Sequence, residues 1–161
     1  MTHGGHEQGA MDHGMIRKHY MLLGLNLLVS LAIMYLVMFA MIWTWDEFIQ
    51  NINFFYMALM MWAPMGSLML LTMPMMYQGR KLNMVLHVVF AAVFILSLVG
   101  IREQGLVGDN QFLRSMIPHH SGAILMCEEA AISDPAIKQL CEEIIVSQKA
   151  EIVQMKALLE R

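Results

Sequence analysis

Two adjacent charged pairs, Asp46-Glu47 and Arg80-Lys81, are the only charged residues between Tyr20 and Ile101. They divide that stretch into three uncharged apolar runs, Tyr20–Trp45, Phe48–Gly79 and Leu82–Ile101. Each run reaches the roughly 20 residues that an α-helix needs to cross a bilayer. In hydrocarbon every backbone amide must be bonded within its own segment, so three transmembrane helices are predicted, at about 20–43, 52–77 and 82–101. Tyr20, Trp43, Trp45, Tyr56 and Tyr77 fall near the proposed ends, where aromatic residues anchor spans at the interface. Pro64 and Pro74 are expected to kink or loosen the second helix.

The remainder of the 161 residues reads as two water-facing parts: a polar tail over 1–19 and a segment over 102–161 with six basic and nine acidic residues. With 14% of residues charged against about 25% in soluble domains, an ordinary soluble globule is excluded. A net charge of −3 without a basic tract argues against nucleic acid as a partner. Arg17-Lys18 and Arg80-Lys81 predict a cytoplasmic N-terminus and a 102–161 segment outside the cytoplasm, in the periplasm if the membrane is a bacterial inner membrane. A cleavable signal peptide is not expected, because acids and histidines precede the first apolar run and no small-residue cleavage pattern follows it.

Nineteen methionines point towards soft-metal chemistry, since thioethers suit Cu(I). Met57, Met61, Met65, Met69 and Met73 recur every four residues on the second helix, although such a row drifts about 40° per step. The plainer reading is that methionine fills apolar space adaptably. His87, an ionisable group inside the third helix, is a functional candidate or a partner for a neighbouring helix. The tail, with four glycines and no apolar periodicity, is expected to be disordered. It gathers His3, His6, Met11, His13 and Met15, a candidate metal-binding tract. Its Met11-Asp12-His13-Gly14-Met15 resembles, one residue short, the Met-Asp-His-x-x-Met repeats of bacterial copper-resistance proteins.

After an Arg102–Asn110 linker, two amphipathic helices are predicted over about 109–132 and 135–160, broken by Asp134 as N-cap and Pro135 at the first helical position. The buried stripes are expected to be Phe112, Met116, His120, Ala123, Cys127 and Ala131 on one, and Ile137, Cys141, Ile144, Gln148, Ile152, Met155 and Leu159 on the other. An antiparallel hairpin turning at Asp134 then sets Cys127 against Cys141, and His120 against Gln148. Adjacent His119 and His120 point about 100° apart. Pro118 argues for a local bend before them. Met116 and Met126 lie within two turns of the histidines, and a His/Met cluster of this kind can hold Cu(I), whereas Mg²⁺ or Ca²⁺ would want oxygen. Gln148 and Glu151 are candidates to orient an imidazole. Cys127 and Cys141 are open to three readings: a disulfide, copper thiolates, or small buried residues. Glu128-Glu129 and Glu142-Glu143 read as solvated faces.

Phe112-Leu113-Arg114-Ser115-Met116-Ile117-Pro118-His119-His120, Asp134-Pro135-Ala136-Ile137-Lys138, and Gln148-Lys149-Ala150-Glu151-Ile152-Val153-Gln154-Met155 together resemble the domain of unknown function 305 family. The resemblance implies a ferritin-like helical fold and copper bound outside the cytoplasm, carried by Met116, His119, His120, Met126 and Met155. Longer members carry the hairpin twice, whereas one copy is present here. A lone hairpin buries little surface, so association between hairpins of two or more chains is expected.

The expectation is therefore an all-α, non-enzymatic membrane protein that holds Cu(I), or Ag(I), for copper tolerance or handover to copper-handling proteins. The alternative is a copper transporter using the methionine ladder. Three spans and Met-x-x-x-Met in the second are similar to eukaryotic copper channels, but the charge pattern predicts the opposite orientation, and the third span lacks a Gly-x-x-x-Gly motif.

Overall fold

A computed structural model describes the backbone of residues 4–161 and the side chains of residues 14–161. Within them the chain is all-α: α1 (Gly4–Val37), α2 (Ile52–Thr72), α3 (Arg80–Arg102), α4 (Asp109–Glu129) and α5 (Pro135–Leu159), with a 3₁₀ turn at Trp45–Glu47. Gly14–Val37, α2 and α3 are each long and apolar enough to span a bilayer, and the chain is a membrane protein.

The first helix differs from expectation at both ends. It starts at Gly4, so the backbone of the 1–19 tail is helical from that residue on, where disorder was expected. Glu7, Gln8, Ala10 and Met11 are good helix formers, and extending a helix already nucleated by an apolar span costs far less than starting one. At the other end α1 stops at Val37, not 43. The chain tightens there into i→i+3 bonds, Phe39 N–H to Leu36 O at 3.1 Å and Ala40 N–H to Val37 O at 3.0 Å. Likewise α2 stops at Thr72, not 77, because Pro74 biases Met73 away from helical backbone. Pro64 lies within α2, which is continuous through it.

The described chain packs as two units: the chain up to Met34 with Met57–Val99, and Tyr35–Tyr56 with Gly100–Arg161. In the first, Leu23 and Leu27 of α1, Ala63 and Leu70 of α2, and Tyr77 with Phe90 of α3 form the core. Gly66 lets the Phe90 ring lie against the α2 backbone: a Cβ there would be 2.6 Å from Cζ of Phe90. Polar groups pair inside this unit. Trp62 Nε1–H donates to Leu27 O at 2.8 Å, and at one end Tyr20 O–H donates to Asn83 Oδ1 at 2.6 Å.

In the second unit Asn51 caps α2, its Oδ1 accepting from Phe54 N–H at 2.9 Å. The hairpin of α4 and α5 turns as expected. Asp134 Oδ1 accepts from Ala136 N–H at 2.8 Å and Ile137 N–H at 3.3 Å, with Pro135 at the first helical position. Ile117, Ile124, Ile152 and Met155 form the hairpin core, flanked by Leu113, Met116, Ile145, Leu159 and Ile49. Phe112, Ala131 and Ile137, assigned above to the buried stripes, are exposed instead. The buried face of α4 is turned towards Ser115, Ile117, Ser121 and Ile124, because α4 buries surface against the 3₁₀ turn as well as against α5.

Candidate functional site

The two adjacent histidines have opposite fates. His120 is 8% exposed, while His119 is exposed, their ring centroids 6.0 Å apart. Both nitrogens of His120 meet acceptors: Nδ1 lies 3.0 Å from the Met116 carbonyl, one turn back, and Nε2 lies 2.7 Å from Glu151 Oε2 on α5. Both ring nitrogens are thereby engaged, and the ring is held between the α4 backbone and an α5 carboxylate. The other Glu151 oxygen accepts from the Ser147 hydroxyl at 2.7 Å. That hydroxyl, and after it His120, holds the Glu151 carboxyl below the usual carboxylate range. Glu151 thus takes the place across the seam expected for Gln148, whose Oε1 is buried with no partner among the described residues.

The five ligand candidates therefore divide. His120 and Met155 face inward, Met155 as part of the apolar core, and Met116 lies half-buried at its edge. His119 and Met126 face outward, Met126 at 53% exposure. His119 makes no side-chain hydrogen bond among the described residues, so both its nitrogens are open to a ligand. Helical spacing puts Met116, His119 and Met126 within an arc of about 80° on α4. No group of three or more His, Cys, Asp or Glu residues is gathered to hold a metal among the described residues. Cys127 and Cys141 form a disulfide with Cα atoms 5.2 Å apart, which removes them as thiolate ligands and as free packing residues.

The remaining candidates do not converge. Of the methionine ladder, Met65 and Met69 pack against the core of the first unit, while Met57, Met61 and Met73 are exposed, as the drift of a four-residue row requires. His87 Nδ1 lies 2.6 Å from Ser67 Oγ of α2, the interhelical contact weighed above. In the tail, His3 lies outside the described residues, and so do the side chains of His6, Met11 and His13; Met15 is exposed.

A second set of polar contacts went unforeseen. Ser121, next to His120 and fully buried, accepts from Trp43 N–H at 2.5 Å and donates to the carboxylate of Glu47, itself 3% exposed. Lys156 of α5 pairs with Asp46 and lies 3.9 Å from Glu47 Oε1. Glu128 accepts from Trp43 Nε1–H at 2.6 Å and from Lys149 Nζ at 2.9 Å, and Lys149 stacks 4.0 Å over the indole. Glu128 is thus half of an ion pair and not simply part of a solvated face. The 43–47 segment is fastened to both hairpin helices by its acidic pair and Trp43. The one sequence signal was Ser121-Gly122 beside the histidines, small residues that admit a close approach: a Cβ on Gly122 would lie 3.4 Å from Met41 O.

The model of a domain of unknown function (DUF305) matches residues 97–159. The uncharacterized protein L153 of Acanthamoeba polyphaga mimivirus is 34% identical over 112 residues, covering 68% of this chain and 72% of that protein. The chain belongs to the DUF305 family. No solved structure matches it. The DUF305 segment contains the histidine pair, the disulfide, Glu151 and Ser121, whereas Trp43, Asp46 and Glu47 lie before it.

Proposed function

We propose that this DUF305 protein is a non-enzymatic, membrane-anchored binder of Cu(I), and of the similarly soft Ag(I), serving copper tolerance or handover to copper-handling proteins. One observation carries the reading: His119, whose two nitrogens have no partner among the described residues, lies on the same stretch of α4 as the thioethers of Met116 and Met126. Imidazole with thioethers is a donor set that favours Cu(I) over oxygen-seeking cations. His120, engaged at both nitrogens, is a positioning residue that ties α4 to α5 beneath the outward set. Because the outward donors lie at a surface, hairpins of two chains could complete the coordination shell together.

The hairpin faces the side of the membrane opposite Arg17-Lys18 and Arg80-Lys81, the periplasm in a bacterial inner membrane, by the bias of basic residues towards the cytoplasm. A disulfide between Cys127 and Cys141 suits that oxidising side. The transporter reading has weaker support, since the methionine ladder turns from the helix core to exposed surface.

The test is competition for Cu(I) between a chromogenic chelator and the full chain in lipid nanodiscs. Binding tighter than micromolar is expected, with His119→Ala or Met126→Leu weakening it at least tenfold. Affinity weaker than micromolar, or indifference to both substitutions, overturns the proposal.

A further inference from the structure

Leu22, Asn26, Val29 and Ile33 of α1 follow one another at intervals of four, three and four residues, the spacing of a coiled-coil seam, and all four are exposed. The stripe lies about 100° around the helix from Leu23 and Leu27, which are buried against the other helices of their unit. Three of the four are ordinary lipid-facing residues. Asn26 is not. It lies six residues beyond Tyr20, whose hydroxyl bonds Asn83 and Gly79 N–H at the polar end of the bundle. At 1.5 Å per residue that is about 9 Å into a hydrocarbon layer some 30 Å thick. The side chain is too short to reach back to the headgroups, as lysine or arginine can.

Ser30 O–H donates to Asn26 Oδ1 at 3.2 Å, which uses one lone pair and orients the carboxamide. The Asn26 amide nitrogen has no partner among the described residues, and lipid supplies none. The missing partner must offer an acceptor at that depth and a donor for the spare lone pair of Oδ1. A carboxamide is complementary to itself in this respect. A second copy of the chain inserted in the same orientation carries one at the same depth, on a seam of the same spacing.

We propose that α1 is a homodimerisation helix, in which Leu22, Asn26, Val29 and Ile33 meet the same residues of a second copy. Each Asn26 amide donates to the partner's Asn26 carbonyl oxygen. The apolar residues pack as in the left-handed crossings common in membranes, and the asparagine pair fixes parallel orientation and register. This interface is independent of copper and of the hairpin.

The experiment uses the full chain in lipid vesicles. Single cysteines are introduced as Val29→Cys or Ile33→Cys on the seam, and as Leu28→Cys on an exposed face of α1 away from it. Oxidative cross-linking is read on non-reducing gels against the parent chain, whose own cysteines are already paired. Seam variants are expected to give covalent dimers, with Leu28→Cys at the parent baseline. Energy transfer between labelled chains on lipid dilution should show Asn26→Leu dimerising about tenfold more weakly, with Asn26→Gln between it and the parent. Equal cross-linking at Leu28→Cys, energy transfer whose dependence on labelled fraction fits an assembly larger than the dimer, or an Asn26→Leu chain that dimerises as well as the parent would each overturn the proposal. The cross-linking pattern does not depend on how the Asn26 variants fold.

Discussion

Nε2 of His120 and Oε2 of Glu151 are 2.7 Å apart across the hairpin seam, and Ser147 donates to the other oxygen of the same carboxylate. Glu151 is thereby held below the ordinary glutamate value of about 4.3, first by Ser147 and then by His120. Asp46 is lowered by Lys156 and then Thr44, and Glu128 chiefly by Lys149. A carboxyl whose folded value is depressed binds its proton more readily in the unfolded chain. The stability it contributes is complete above the unfolded value and is lost as pH falls through the folded one. Thermal unfolding followed by circular dichroism should therefore show a midpoint that is level near neutrality and declines below about pH 4 to 5. The double variant Ser147→Ala/Glu151→Gln should decline less steeply; an unchanged slope would remove Glu151 from the account.

Ser121 satisfies two groups at once, the Trp43 amide and the buried Glu47 carboxylate. Ser121→Ala keeps the packing volume nearly constant but leaves both without that partner. A loss of about 2 kcal/mol is expected from the unpaired buried groups. Asp46→Asn, which weakens a more exposed pair and leaves Lys156 beside Glu47, should cost under about 1 kcal/mol. Chemical denaturation of the two variants in parallel checks the order, and a larger loss for Asp46→Asn would contradict it.

What could be read in the chain beforehand was whatever local chemistry decides. Charged pairs delimit three spans because burying charge in lipid is costly, and Asp134-Pro135 breaks the hairpin because capping acts within three residues. Cys127 facing Cys141 followed from counting outward from that turn. The same count set His120 against Gln148, three residues from its observed partner, because a flat pairing rule ignores how two helices cross. Glu47 and Ser121 are 74 residues apart, and no local pattern announces such a contact. Without the docked 43–47 segment the buried face of α4 was misplaced, and with it the division of the ligand candidates into an inward and an outward set.

The disulfide closes a loop of 14 residues around the hairpin turn. Chain-entropy arguments assign a loop of that size about 3 kcal/mol of stabilisation. Reduction, or the double variant Cys127→Ala/Cys141→Ala, should lower the unfolding free energy of the hairpin by about 2–3 kcal/mol. Hydrogen exchange at amides of α4 and α5 is the readout, since it separates the hairpin from the spans. Unchanged protection after verified reduction would show that core packing alone holds the hairpin closed.

Gly66 and Phe90 supply a test inside the membrane unit. The ring of Phe90 occupies the place where a Cβ at position 66 would stand, and it has little freedom to retreat. Trp62 lies edge-on with ring centroids 5.3 Å apart, and Phe90 is almost wholly buried. Gly66→Ala is therefore expected to destabilise the bundle by about 1–3 kcal/mol through overpacking, although alanine is the better helix former. If the clash is the cause, a smaller side chain at position 90 should relieve it. Gly66→Ala/Phe90→Leu should then unfold at a higher denaturant concentration in mixed micelles than the two single effects added together predict. Simple additivity would mean that Gly66 acts through something other than the Phe90 ring.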